Sequence, residues 1–212
     1  CINYAKKRNL HAVYFPYDTT RAREEDLTNV LTRLMQVAPP DAIGVVDTFG
    51  KGVSRTAVPA YACFIDLGEG DRASMTGEVE SAGAAAINVR GKSSEGFPKH
   101  QYHLEMQNGQ GDDADIAILG MPAESDWVLQ GPYSDKSLMR NVLSYRWANE
   151  MGRYAPRTRF VELFLNSNDS NVTMADYVGV YVLMEKIKIG PNRVNIAELE
   201  PSDNAEPEIT GG

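Results

Sequence analysis

The stretch from Asn88 to Tyr102 collects the residue types that a polyphosphate needs. Gly91, Ser93, Ser94 and Gly96 can turn backbone N–H groups and hydroxyls toward an anion, and Arg90, Lys92 and Lys99 supply positive charge on either side. Donors in a concave turn beside fixed cations are how proteins hold phosphate. The same residues also describe a tight hairpin with turn glycines and solvated cations, and a short motif alone does not separate the two. The flanks say what positions the loop. An apolar run, Ala84 to Ile87, precedes it, and Tyr102, Leu104 and Met106 alternate with His103 and Glu105 after it. Such patterns mark strands. The stretch therefore reads as a strand, a Gly/Ser loop, and a second strand that begins near Lys99.

Other elements follow from the same rules. His11–Phe15, Ala42–Phe49 and Ala60–Leu67 read as strands. Leu27, Val30, Leu31, Leu34 and Met35 recur at helical spacing and predict an amphipathic helix over 21–37, stopped by Pro39-Pro40. The charged segment 68–77 is a turn, and strand character dominates from Glu78. Asn108–Asp115 is rich in turn residues; its three aspartates lack the closing glutamate of an EF-hand, so a solvated turn is expected. Ser134 or Asp135 caps a second helix running to Met151, with Gly152 as its stop and Met139, Val142, Leu143, Trp147 and Met151 as its apolar stripe. Arg140 and Asn141 fall near its start, where they face a ligand or pair at the surface. Thr158–Leu165, Tyr177–Ile189 and Arg193–Leu199 complete the predicted strands.

The 212 residues, 42% hydrophobic and 24% charged, suit an ordinary globular core. A net charge of −8 argues against a nucleic-acid surface and against adhesion to anionic lipid. No apolar run reaches the roughly 20 residues that cross a bilayer, and no basic-then-apolar leader stands in the residues given. Two cysteines, Cys1 and Cys63, make neither a disulfide framework nor a zinc site. They pair if the protein is exported, or Cys63 is a small core residue. The sequons at Asn168 and Asn171 carry no argument.

The run Arg90–Lys99 resembles the RG-x-SS-x-x-FPKK element of the spore coat protein H (CotH) kinase-like family. More of that family's pattern follows in order: Leu119-Gly120, Asp126–Leu129, Tyr133–Asn141, Gly152–Glu162, Asp176–Lys188, Arg193–Ile196 and Ile209–Gly212. The resemblance covers about Ala86 to Gly212. It implies an α+β fold, a mostly antiparallel sheet with two main helices, like an atypical protein-kinase N-lobe over 78–212 behind an N-terminal extension over 1–77. It further implies ATP and magnesium as cofactors, with Arg90, Lys92, Ser93, Ser94 and Lys99 at the phosphates. Glu185 and Lys186 would lie in a hinge beside the adenine, and 137–151 would be the regulatory helix. Either Glu150 or Glu162 would be the carboxylate partner of Lys99. The family's catalytic and metal-binding aspartates lie beyond the Ile-Thr-Gly-Gly element, on which the sequence given ends, so no catalytic residue or metal ligand is assigned. The implied role is a secreted, cell-surface or spore-coat kinase acting on Ser/Thr of extracellular or coat proteins. The alternative is a non-catalytic structural or adhesive module, partnered within a surface or coat assembly, that keeps the fold.

Overall fold

The structure is a computed structural model that describes residues 42–67 and 73–198. The strand at 11–15, the helix at 21–37 and Cys1 lie outside the described residues. Among the described residues, nine strands and one α-helix follow in chain order: β1 (Ala42–Asp47), β2 (Val58–Ile65), β3 (Val79–Arg90), β4 (Gln101–Gln107), β5 (Ile116–Ile118), β6 (Met121–Glu124), β7 (Asp126–Gln130), α1 (Arg140–Glu150), β8 (Thr158–Asn166) and β9 (Tyr177–Glu185).

Seven strands close into a barrel in the order β1-β2-β3-β4-β7-β9-β8. This corrects the expected α+β lobe with a mostly antiparallel sheet and two main helices: the described residues form a closed β-barrel with one α-helix packed outside it. Closure comes from β1, which pairs antiparallel with β2 and parallel with β8, from Ala42 opposite Val161 to Asp47 opposite Asn166. β2 in turn pairs with β3 from Val58↔Ile87 to Ile65↔Val79, so position 77 falls between two adjacent staves. Periodicity marks β1 and β2 as strands but cannot name a partner across such a separation.

Interior side chains are mixed in size, with the buried alanines gathered on three neighbouring strands. Trp127, Leu129, Tyr181, Leu183, Leu104 and Tyr102 point inward from β7, β9 and β4. Ala42, Ala60, Ala62 and Ala85 face them from β1, β2 and β3. Phe64 and Ile87 stand among these alanines, and together the side chains fill the barrel interior. Gly44 belongs to the same scheme, because a Cβ there would stand 3.1 Å from the Phe64 ring. The β5–β6 hairpin plugs one end with Ile118, Leu119 and Met121. Its two-residue turn puts Leu119 and Gly120 at φ of 51° and 74°, the left-handed pair of a type I′ hairpin.

The helix begins later than the sequence predicts, at Arg140, but Asp135 still serves its start. Its carboxylate accepts from the Arg140 N–H at 2.8 Å and the Ser137 N–H at 3.0 Å. The predicted stripe is corrected. Leu138, Met139, Val142 and Tyr145 pack on Val128, Phe160, Val182 and Met184, whereas Trp147 and Met151 are exposed. Gly152 ends the helix at φ 74° as expected. Cys63 packs on the opposite outer face with Ile43, Ile65 and Phe164.

β9 stops at Glu185 rather than running on to Ile189, and 193–198 is not a strand. Charge explains the break. Glu185 is fully buried, and its Oε1 accepts from Arg193 Nη1 at 2.6 Å and Arg157 Nε at 2.7 Å. Its Oε2 accepts the Arg157 N–H at 2.9 Å. Arg193, also buried, lies over the Trp127 ring, so the chain turns back beneath β9 to deliver its guanidinium. Removing one partner of a buried ion pair strands the other charge. Glu185→Ala is therefore expected to cost about 3–5 kcal/mol in urea unfolding. Glu150→Ala, which breaks an exposed pair with Arg146, should cost under about 0.5 kcal/mol. Equal losses in the two variants would overturn this account of the barrel's plugged end.

Candidate functional site

The Gly/Ser loop sits at the end of the barrel opposite the β5–β6 plug, between the last residue of β3 and the first of β4. Gly91 opens it at φ 106°, and a Cβ there would collide with the Ser94 hydroxyl, so only glycine lets the turn fold this tightly. Ser94–Gly96 form one 3₁₀ turn, closed by the Phe97 N–H donating to the Ser94 carbonyl at 3.2 Å. Arg90, Lys92 and Ser93 are exposed on this loop, and Ser94 is half-buried.

Lys99 turns inward. Its ammonium donates to the Val180 carbonyl at 2.5 Å and lies 4.7 Å from the centre of the Tyr181 ring. Burial pushes its pKa down to about 8. The aliphatic stem passes beneath Gly131, where a Cβ would come within 3.0 Å of both the stem and the Tyr181 ring and 2.7 Å of the His100 carbonyl. Gly131 also lines a cleft of about 240 Å³ with Phe97, Gln101, Tyr133, Asp135 and Arg140. Asn141 joins that lining, so the start of α1 does face a cavity. Phe97 and Tyr133 form its aromatic wall, their ring centres 5.0 Å apart.

The predicted site residues therefore fall into two groups. Arg90, Lys92, Ser93, Ser94 and Lys99 come together at the open end. Glu185 and Lys186 lie at the plugged end, and the five steps along β9 from Val180 to Glu185 span roughly 16 Å. Glu185 is committed to Arg157 and Arg193, and Lys186 donates to Asp126 at 2.8 Å. Glu150 pairs with Arg146. Glu162, half-buried on β8, stands opposite Val180 in register, one strand from the carbonyl that holds Lys99.

Two features escaped the sequence. One is the cleft, whose Gln101, Gln130, Tyr133 and Asp135 come from three segments that only the barrel brings together. The other is Arg55, whose guanidinium donates to the Gly91 carbonyl at 2.9 Å and to both oxygens of Glu95. A lone arginine in a polar loop carries no motif that would have flagged it.

His103, Glu105 and Asp126 bring ligand atoms within 4.8 Å of one another, on the outer face of β4 and β7. The group does not fit magnesium. Asp126 Oδ1 is engaged by His103 at 2.7 Å and Lys186 at 2.8 Å, and its Oδ2 by Lys188 at 2.9 Å. Burial alone would raise this carboxyl, but those hydrogen bonds outweigh it and hold it well below the usual range. Two ammonium groups already supply the charge a cation would bring, and magnesium prefers oxygen donors with retained water.

The pattern of the CotH kinase protein family matches residues 87–205, and the chain belongs to that family. The match opens at Ile87, inside β3, so β1, β2 and the first part of β3 lie outside it. No curated protein matches the chain. No helix among the described residues is long and apolar enough to cross a membrane.

The environment of Lys99 sets a pH dependence. Its folded pKa of about 8 lies below the ordinary 10.5, so between those values the unfolded chain holds more protons and stability rises with pH. Below about 8 the full cost of burying the ammonium is present. Lys99→Met keeps the stem and removes the charge. At pH 7 it should match or exceed the wild-type Tm by up to about 4 °C, and the gap should close as pH rises from 8 toward 10. A loss of stability in the variant at pH 7 would count against a strained ammonium.

Proposed function

We propose that the chain is the nucleotide-handling part of a CotH-type atypical protein kinase. In this reading it binds Mg-ATP and directs phosphate to Ser/Thr hydroxyls of extracellular or coat proteins, at the cell surface or in a secreted coat. The observation that carries the proposal is Lys99. It is a half-buried ammonium held by a carbonyl and a ring, beneath a cleft edge, next to a Gly/Ser loop flanked by Arg90 and Lys92. Burying a cation without a carboxylate is unfavourable, and an anionic ligand reaching Lys99 would relieve that cost. Phosphoryl transfer asks mainly for positioning and charge neutralisation. Lys99 would neutralise phosphate oxygens, the Gly91–Gly96 amides and the Ser93 and Ser94 hydroxyls would orient them, and Arg90 and Lys92 would draw the polyanion in. The cleft walled by Phe97 and Tyr133 is the neighbouring space for the rest of the nucleotide. Magnesium entering with the nucleotide would supply positive charge against the phosphates, and the group at His103, Glu105 and Asp126 does not fit it.

A second reading has its own support. The inward bond from Lys99 to Val180 is complete without a ligand, and Glu185 and Lys186 serve the barrel itself. On that basis the chain would be a structural or adhesive module of a surface or coat assembly. Thermal unfolding separates the two. Mg-ATP at about 100 times Kd is expected to add roughly 2.7 kcal/mol and raise Tm by several degrees. Lys99→Met should abolish most of that rise. A wild-type Tm that ignores millimolar Mg-ATP favours the structural module.

A further inference from the structure

Residues outside the family-matched segment hold the Gly/Ser loop. The Ser54 carbonyl accepts from the Val89 N–H at 2.7 Å, which ties the β1–β2 loop to the last turn of β3. The next residue, Arg55, is thereby set beside Gly91. Its Nη2 donates to the Gly91 carbonyl at 2.9 Å, its Nε donates to Glu95 Oε1 at 2.6 Å, and Nη2 also reaches Glu95 Oε2. One guanidinium thus spans the loop, from its first residue to the middle of its 3₁₀ turn. Each partner shifts the other in the sense of a close pair, Arg55 upward and Glu95 downward, chiefly through their hydrogen bond.

The location says what this clasp does. Both partners are substantially exposed, at 59% and 39% of their side chains, and exposed ion pairs add little to global stability. What a forked, three-point contact changes is local order. The loop it orders has its amides and the Ser94 hydroxyl as its donors, and at Gly91 an added Cβ would collide with that hydroxyl. A loop shaped before the ligand arrives loses less entropy on binding.

We propose that Arg55 is a positioning residue that clasps the Gly91–Phe97 loop in the shape that presents its donors to the phosphates of a nucleotide. The proposal rests on the nucleotide reading above and extends it to a residue that the family pattern does not include.

The test compares wild type with Arg55→Ala, Arg55→Lys and Glu95→Gln. Calorimetry with Mg-ATP and with tripolyphosphate reads affinity, and amide exchange over 91–97 reads loop order. Arg55→Ala is expected to keep Tm within about 2 °C of wild type. Its affinity for both probes should fall about tenfold, with faster exchange confined to 91–97. Arg55→Lys should not restore either property, because an ammonium cannot reproduce the fork. Glu95→Gln should weaken binding by less, since the bond to the Gly91 carbonyl survives. If wild type binds and Arg55→Ala binds equally well, the proposal falls and the nucleotide reading stands. Weaker binding with unchanged exchange would make Arg55 a direct ligand contact, which also overturns it. Tighter binding by Glu95→Gln would mean that Glu95 masks Arg55 instead of shaping the loop. If wild type binds neither probe, the nucleotide reading fails and takes the proposal with it.

Discussion

One pairing decides the architecture: the parallel ladder between β1 and β8. Without it the seven staves would be an open sheet with β1 and β8 as free edges. With it, every stave has two neighbours and the interior closes around Trp127, Tyr181 and Phe64. The ends of the barrel then differ in character. One is plugged by a hairpin and sealed by a buried carboxylate between two arginines. The other is open to loops, and there the glycines, the cations and the cleft gather.

Charge is handled differently at those two ends, and the contrast bears on function. At the plugged end each buried charge has a close opposite: Glu185 with Arg157 and Arg193, and Asp126 with Lys186 and Lys188. Such arrangements close a structure and leave little for a ligand to gain. At the open end Lys99 lies half-buried against a carbonyl and a phenol ring, with desolvation the cause of its lowered pKa. An unneutralised charge beside a cleft is the kind of site where binding energy can be gained. The family's pattern runs through both ends and does not by itself tell them apart.

Much of this was legible in the residues. Alternation at Tyr102, Leu104 and Met106 marked β4 correctly, and the apolar run before Asn88 marked β3. Asp135 and Gly152 bracketed the helix, although Arg140 rather than Ser137 begins it. The failures have physical causes. Closure depends on β1 meeting β8, and periodicity carries no information about a distant partner. The run past Glu185 looks like a strand because Ile187 and Ile189 alternate with Lys186 and Lys188. Those lysines turn instead to Asp126 and Glu124, and Arg193 is drawn under Glu185. The helix stripe misled because Trp147 and Met151 are apolar yet exposed. Arg55 was invisible because its meaning lies wholly in its position relative to Gly91 and Glu95.

The order in which the chain leaves the ribosome gives β1 a particular history. Its β2 neighbour follows within a few residues, but its other edge waits for β8; the Thr48–Asn166 contact at the tip of that ladder spans 118 residues. Until then one edge of β1 offers unpaired N–H and C=O groups to any other chain nearby. Non-local parallel pairing is slow, and nascent chains with exposed edges are prone to misassembly. A barrel closed by its first described strand is therefore completed late in synthesis, and the interval before closure is when chaperones would have the most to protect.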